Sequence, residues 1–260
     1  MRIRVPLLTL AIVASSVTAA GASARITETK GKPTTTTTVP AAALTVRAAA
    51  QAAMSAGSVH AVWTSTYGNH SYTNTVDAGT SGGVVSISST VGQLHGQATA
   101  IVMPNIAYIQ GDAFSLKNTF NFSALNSKKY AGKWISFSNQ QDLYESISAT
   151  GTFSSLLANL NLKAPFVSVK ASTLNGVAVT GVQGTATSPA QSGGPSGQVV
   201  VVYIATGTGL PVRVCPKSGG SYKWNLQFSK WGVPVSVTPP SGAISGSSIS
   251  HLTGWLSTSS

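Results

Sequence analysis

Charge is what this chain has least of. Only 8% of its 260 residues are Asp, Glu, Lys or Arg, against about 25% in an average soluble domain. Acids are the scarcest, with 5 Asp and Glu beside 16 Lys and Arg, for a net charge of +11. General acid–base chemistry needs carboxylates or histidines set against one another. The acids of the part expected to fold are Asp77, Asp112, Asp142 and Glu145, and they make no recognisable pair. Asp142 and Glu145, three apart, fit the solvated face of a helix. The histidines, His60, His70, His95 and His251, lack metal-ligand spacing, and no H-E-x-x-H, G-x-S-x-G, S-x-x-K or phosphate-loop pattern occurs. His60 and His70 flank a turn at Gly68, so they read either as a cross-hairpin pair or as ordinary surface histidines. The sequence predicts no enzyme, no cofactor and no metal.

Cysteine is the second shortage. Cys215 stands alone, which excludes an intramolecular disulfide. It ends the apolar run 210–214 and reads as a semi-buried structural thiol. Long hydrophobic runs are the third. The apolar stretch 6–13, preceded by Arg2 and Arg4 and followed by Ala22-Ser23-Ala24, is a secretory leader over 1–24 with cleavage before Arg25. It is too short for a membrane span. No cysteine follows it to accept a lipid, so the expectation is a secreted, extracytoplasmic protein that is not lipid-anchored.

The basic excess has two readings: solubility in a chain with few acids, or attraction to an anionic membrane surface. The basic residues are scattered except for Lys128, Lys129 and Lys133. No nucleic-acid-binding pattern accompanies them, and a monomer is expected.

What is plentiful is Gly, Ser, Thr, Val and Ala. Residues 25–40, RITETKGKPTTTTTVP, cannot bury a core and read as a spacer. Ala-rich 41–57 predicts a helix ending at Gly57, with Leu44, Ala48 and Gln51 or Ala52 on one face. From 58 the pattern turns to period two. Strands are predicted over 58–67, 71–78, 84–90, 93–103, 106–110 and 113–117, separated by Gly or Pro-Asn turns, as in a meander or barrel. Residues 118–164 break the pattern. They predict a short helix and loop at 126–133, short helices at 142–147 and 153–162, and a brief strand at 134–137. The Phe, Leu and Trp residues there serve either core packing or a lid over a cavity. A strand pair follows around Leu174-Asn175-Gly176, which holds the dipeptide of tight hairpins, then a loop over 189–196. The segment 197–243 predicts three or four antiparallel strands closed by a short Pro-flanked strand in VPVSVTPPSGA. Val200, Val202 and Ile204 share one face of its first strand and Val199, Val201 and Tyr203 the other, so both faces are expected to be covered. A Ser- and Gly-rich tail fills 244–260.

This order of elements, with KYAGKWISF, GLPVRV and FSKWGVPVSVTPPSGA at its landmarks, resembles the LppX/LprA/LprF/LprG-type mycobacterial lipoproteins, within the LolA-like carriers. The resemblance covers residues 41–243. It implies an α+β fold, a curved antiparallel half-barrel sheet with helices packed on its concave side, and a cavity that holds acyl chains. The implied partner is an acyl lipid or glycolipid. The strand pattern supplies the residues expected to face that interior: Val59, Ala61, Trp63, Val85, Ile87, Val200, Val202, Ile204, Trp224, Leu226 and Phe228. The other reading kept open is an envelope sensor or adhesion module with a filled core.

Overall fold

The computed structural model describes residues 40–187, 197–218 and 220–250. The leader, nearly all of the spacer, the loop 189–196 and the last ten residues lie outside the described residues.

Helix α1 (Ala41–Ala56) ends where Gly57, at φ 73°, bonds back to the Met54 carbonyl. Its buried stripe is Ala42, Val46, Ala49 and Ala53, while Leu44 is 55% exposed. The expected face built on Leu44 thus points outward. The inward stripe is built mainly of alanines, whose small side chains suit close packing on a sheet.

Four strands of ten residues follow, β1 (Ser58–Tyr67), β2 (His70–Gly79), β3 (Gly82–Val91) and β4 (Leu94–Met103), then β5 (Ile106–Gly111). Each is joined to the next by two residues, and their registers run without a slip. The predicted strand at 113–117 is instead helix α2 (Ala113–Asn118). Asp112 decides this. One carboxylate oxygen accepts from Ser115 N at 2.7 Å and the other from Gln97 N at 2.7 Å, so it caps the helix and ties it to β4.

Next come α3 (Ala124–Lys129), β6 (Ile135–Ser138), α4 (Asp142–Gly151) and α5 (Phe153–Ala158). A reciprocal cap between Thr152 and Ser155 starts α5. The predicted hairpin is β7 (Leu162–Leu174) and β8 (Val177–Ala186), turning at Asn175 and Gly176 with φ of 50° and 81°. These positive angles are the reason for Asn-Gly there. Then come β9 (Val199–Ala205), β10 (Pro211–Pro216) and β11 (Tyr222–Ser229).

The expected closing strand in 233–239 does not form; residues 233–240 are irregular. Pro234, Pro239 and Pro240 remove the donors a ladder needs. The segment is held otherwise: Gly232 N donates to Ser58 O at 3.1 Å and Ser58 Oγ to Val233 O at 2.7 Å. It leads to β12 (Ile244–Ser245), which lies parallel to β6, and to a 3₁₀ turn (Gly246–Ser248) after which Ile249 is buried.

The twelve strands form one sheet in the order β12-β6-β5-β4-β3-β2-β1-β11-β10-β9-β8-β7. Its edges, β12 and β7, do not pair, so the sheet is open, and it is antiparallel apart from β12–β6. One face carries the core. The core cluster joins Val46 of α1, Ile147 of α4, Phe153 and Leu156 of α5, and Leu116 of α2 to the sheet. The α+β expectation of an open sheet with helices on one side holds. The expected cover on both faces of β9 is only half present. Val200, Val202 and Ile204 join the core, but Val199 opposite is 39% exposed. On that side Val201 is buried between the cross-strand neighbours Gln183 and Cys215 rather than under a second layer.

Candidate functional site

Period-two alternation and the registers together place side chains on the helix-covered face. Ala61 is opposite both Phe228 and Val76, Val76 opposite Val85, and Val85 opposite Ala100. On the other flank Leu226 is opposite Val214, and Val214 opposite Val202. All eleven residues predicted to face the interior lie on this face: Val59, Ala61 and Trp63 from β1, Val85 and Ile87 from β3, Val200, Val202 and Ile204 from β9, and Trp224, Leu226 and Phe228 from β11. The most exposed of them, Ile87, is at 8%, and Ala61, Val85, Val202 and Leu226 are at 0%. In this structure they meet one another and the helices.

The opposite face is mixed: polar side chains share it with Val62, Val84, Ile101 and Tyr108. His60 Nδ1 lies 2.7 Å from Asp77 Oδ1, an ion pair between directly opposed residues when the histidine is protonated. His70 is opposite Tyr67, so the two histidines flanking the Gly68 turn do not meet. His95 pairs with Thr90 at 3.0 Å. Among the described residues no group of His, Cys, Asp and Glu could hold a metal ion. Two clefts open here. One, of about 720 Å³, is lined by Thr73, Thr75, Ser86, Ser88, Gln97 and Gln110 among others. The other, of about 310 Å³, includes His60, Arg213 and Gln227. Cys215 is half-buried, as its place after an apolar run suggested. Burial pushes its thiol pKa up, and the Arg213 charge partly offsets this. No described helix is long and apolar enough to cross a membrane.

The helix-covered face also holds polar atoms that the strand pattern gave no reason to single out. Trp63 and Trp224 stack with ring centroids 4.8 Å apart and planes 4° from parallel. Trp224 Nε1 donates to Gln198 Oε1 at 2.8 Å, but Trp63 Nε1 has no hydrogen-bond partner among the described residues. The same is true of Asn74 Oδ1, Ser89 Oγ, Ser115 Oγ and Thr119 Oγ1, all of them buried. An unpaired buried polar group costs about 1–3 kcal/mol, so native folds keep few of them. One weak signal was present in the sequence: Asn74 and Ser89 interrupt apolar alternation on β2 and β3, at the slots beside Val76 and Ile87.

No protein-family model matches the sequence, and no curated protein matches it. Solved structures do. The lipoprotein LppX from Mycobacterium tuberculosis is 18% identical at a TM-score of 0.48, over 77% of this chain and 100% of its own. LprF from Mycobacterium bovis is 17% identical at a TM-score of 0.51, over 78% of this chain and 99% of its own. The chain therefore has the LprF-type fold that its order of elements resembled.

Proposed function

We propose that this protein is an exported carrier of acyl lipid or glycolipid in the cell envelope, holding acyl chains between the sheet and its helices. The observation that supports the reading is the chemistry of the covered face. At its helix-facing positions between the terminal rows, β1–β5, β9 and β11 place no Asp, Glu, Lys, Arg or His. The cover is a set of separate helices, with α2 and α5 only six residues each. Such helices can lift without breaking a strand ladder. Withdrawing Phe153 and Leu156 of α5 would give up about 1.5–3 kcal/mol each, while each buried CH₂ of an acyl chain returns about 0.8 kcal/mol. A chain of about ten methylenes more than offsets that loss. No cysteine lies within or just after the leader, so on this reading the carrier is released and meets anionic membranes through its basic excess, as a monomer.

The near-complete burial of the eleven residues favours a second reading, a filled-core module acting through protein contacts. Native mass spectrometry of protein isolated from its host's envelope, followed by solvent extraction, separates the two. A bound mass that extracts as acyl lipid supports the carrier. An apo mass, with no uptake of added lipid, removes it and leaves the filled core.

A further inference from the structure

Lys128, Lys129 and Lys133, the exception to an otherwise scattered basic pattern, share one surface. Residues 113–141 hold these three and Lys117, and no Asp or Glu. All four lysines are exposed, and among the described residues none is in an ion pair. Lys129 Nζ stands 5.2 Å from the centroid of the Tyr130 ring and Lys133 Nζ 5.7 Å, so two ammonium groups gather at a single ring. Helix α3 sets the rest of the surface. Its buried residues are Asn126 and Ser127, and Asn126 Nδ2 donates to Ser250 O at 3.1 Å. At about 3.6 residues per turn the opposite side of α3 carries Leu125, flanked in projection by Lys128 and Lys129. Leu125 is 76% exposed, more than any other large apolar side chain among the described residues.

Each half of this surface has an ordinary explanation alone. Lysines in the last turn of a helix suit its carbonyl ends, and a single exposed leucine is common. The combination has neither explanation. Lys133 lies beyond the helix, and the acids that bound the segment in sequence are Asp112 and Asp142. The Asp112 carboxylate already accepts from Gln97 N and Ser115 N. What remains is an apolar tip ringed by free cations, with half-buried Tyr130 and Trp134 following it. A soluble polyanion would answer the lysines and leave Leu125 in water. An anionic bilayer answers both, with phosphates at the level of the ammonium groups and the acyl boundary beneath the leucine. We infer that the outer face of α3, together with Lys133, is the surface by which this protein docks on bilayers of anionic phospholipid. The inference rests on the carrier reading and gives a place to the membrane contact which that reading requires. Helix α3 packs on α2, part of the helical cover, so the bilayer meets the protein beside that cover.

The test sediments the exported protein with vesicles of phosphatidylcholine, or of equal parts phosphatidylcholine and phosphatidylglycerol, at about 0.05 M and about 0.5 M salt. The expected result is binding to the anionic vesicles at low salt, lost at high salt or without phosphatidylglycerol. A lysine near such a surface raises partition about fivefold, so Lys128→Gln/Lys129→Gln/Lys133→Gln should lose roughly a hundredfold. The same charge removed from exposed positions elsewhere, in Lys163→Gln/Lys170→Gln/Lys223→Gln, should lose less than about threefold. Leu125→Asn, at a solvent-exposed position, should lose about tenfold with an unchanged salt dependence. Equal losses from the two triple variants overturn the assignment to this surface and leave a diffuse attraction. A Leu125→Asn protein that binds like the parent, with inorganic polyphosphate bound equally by both, overturns the bilayer in favour of a soluble polyanion. No binding to anionic vesicles by protein that carries extractable acyl lipid overturns this inference and leaves the carrier standing. The expected binding pattern in protein that isolates without lipid and takes up none upholds the docking surface and removes the carrier.

Discussion

Gly83→Ala is the substitution that most directly tests how α4 sits on the sheet. A Cβ at Gly83 would lie 2.1 Å from the carbonyl oxygen of Gly151, the last residue of α4, and 3.1 Å from Asp77 O. Both obstacles are backbone, so no rotamer change relieves them. Separations under 3.0 Å are essentially never seen for a real Cβ, so the end of α4 must retreat by about 1 Å. Gly151 has little freedom to retreat sideways, because the space where its own Cβ would be is bounded by Val102 and Val85 methyls at 2.7 and 2.8 Å. Overpacking of this kind costs about 1–3 kcal/mol. At about 2–4 °C per kcal/mol for a domain of this size, the midpoint should fall by roughly 2–12 °C. Calorimetry measures the shift, and amide exchange should rise selectively across 142–151. Gly207→Ala is the control, since nothing lies within 4 Å of its Cβ position. A Gly83→Ala protein that melts within about 1 °C of the parent, with α4 protected as before, would refute the close approach of helix and strand. The carrier reading would then lose a helix whose lifting has a defined hold to break.

Three further outcomes are expected. Asp112→Ala removes two hydrogen bonds of 2.7 Å to backbone N–H groups and should cost about 1–3 kcal/mol in urea unfolding, with Asp112→Asn losing less; equal costs for the two would deny the carboxylate its role. The stacked indoles of Trp63 and Trp224 should give an exciton couplet in circular dichroism that Trp63→Phe or Trp224→Phe abolishes and Trp134→Phe leaves, and a couplet surviving both substitutions contradicts the 4.8 Å stack. Because burial raises the Cys215 thiol pKa, iodoacetamide should label the native chain more slowly than the urea-unfolded chain at one pH. The folded state holds that proton more tightly, so the associated stability is full below the ordinary thiol range and is lost as pH rises through the raised value; Cys215→Ala should flatten that decline, and identical labelling rates would refute the burial.

The hairpins of this fold were legible because their signals are local. Ten-residue strands alternate in polarity, and residues such as Asn175 and Gly176 accept the positive φ that the turn requires. Residues 113–117 misled for an equally definite reason. Ala-Phe-Ser-Leu-Lys alternates, and so short a run is too brief to tell a period of 2 from 3.6. What decides for helix is a cap at Asp112 and the bare surface of Gly96, where Phe114 and Ser115 come within 2.5 Å of the place a methyl group would occupy, and both involve β4, earlier in the chain. The Val-Pro-Val-Ser-Val segment alternates too, but its backbone cannot supply a ladder, and its anchor is Ser58. Helix α1 shows the limit of composition: Ala content predicts the helix, yet which stripe turns inward depends on the sheet that receives it.

The site divides in the same way. Alternation alone placed eleven side chains on one face, since that needs only strand and period. It could not say what covers them, because the helices that do so come from 41–56 and 113–158, and their docking is a tertiary fact. The unpaired polar atoms were less legible still. Asn74, Ser89, Ser115 and Thr119 are each ordinary in a Ser- and Thr-rich chain, and only strand register together with the docking of α2 on Gly96 gathers them on the face of Trp63. Carrier and filled core therefore share one face and differ in a balance of energies. A structural core gains nothing from five unpaired polar atoms beneath its cover, whereas a site that exchanges helix side chains for acyl chains gains a place to hold the polar end of each chain. That asymmetry is the argument for the carrier reading, and the extractable mass is what decides between the two.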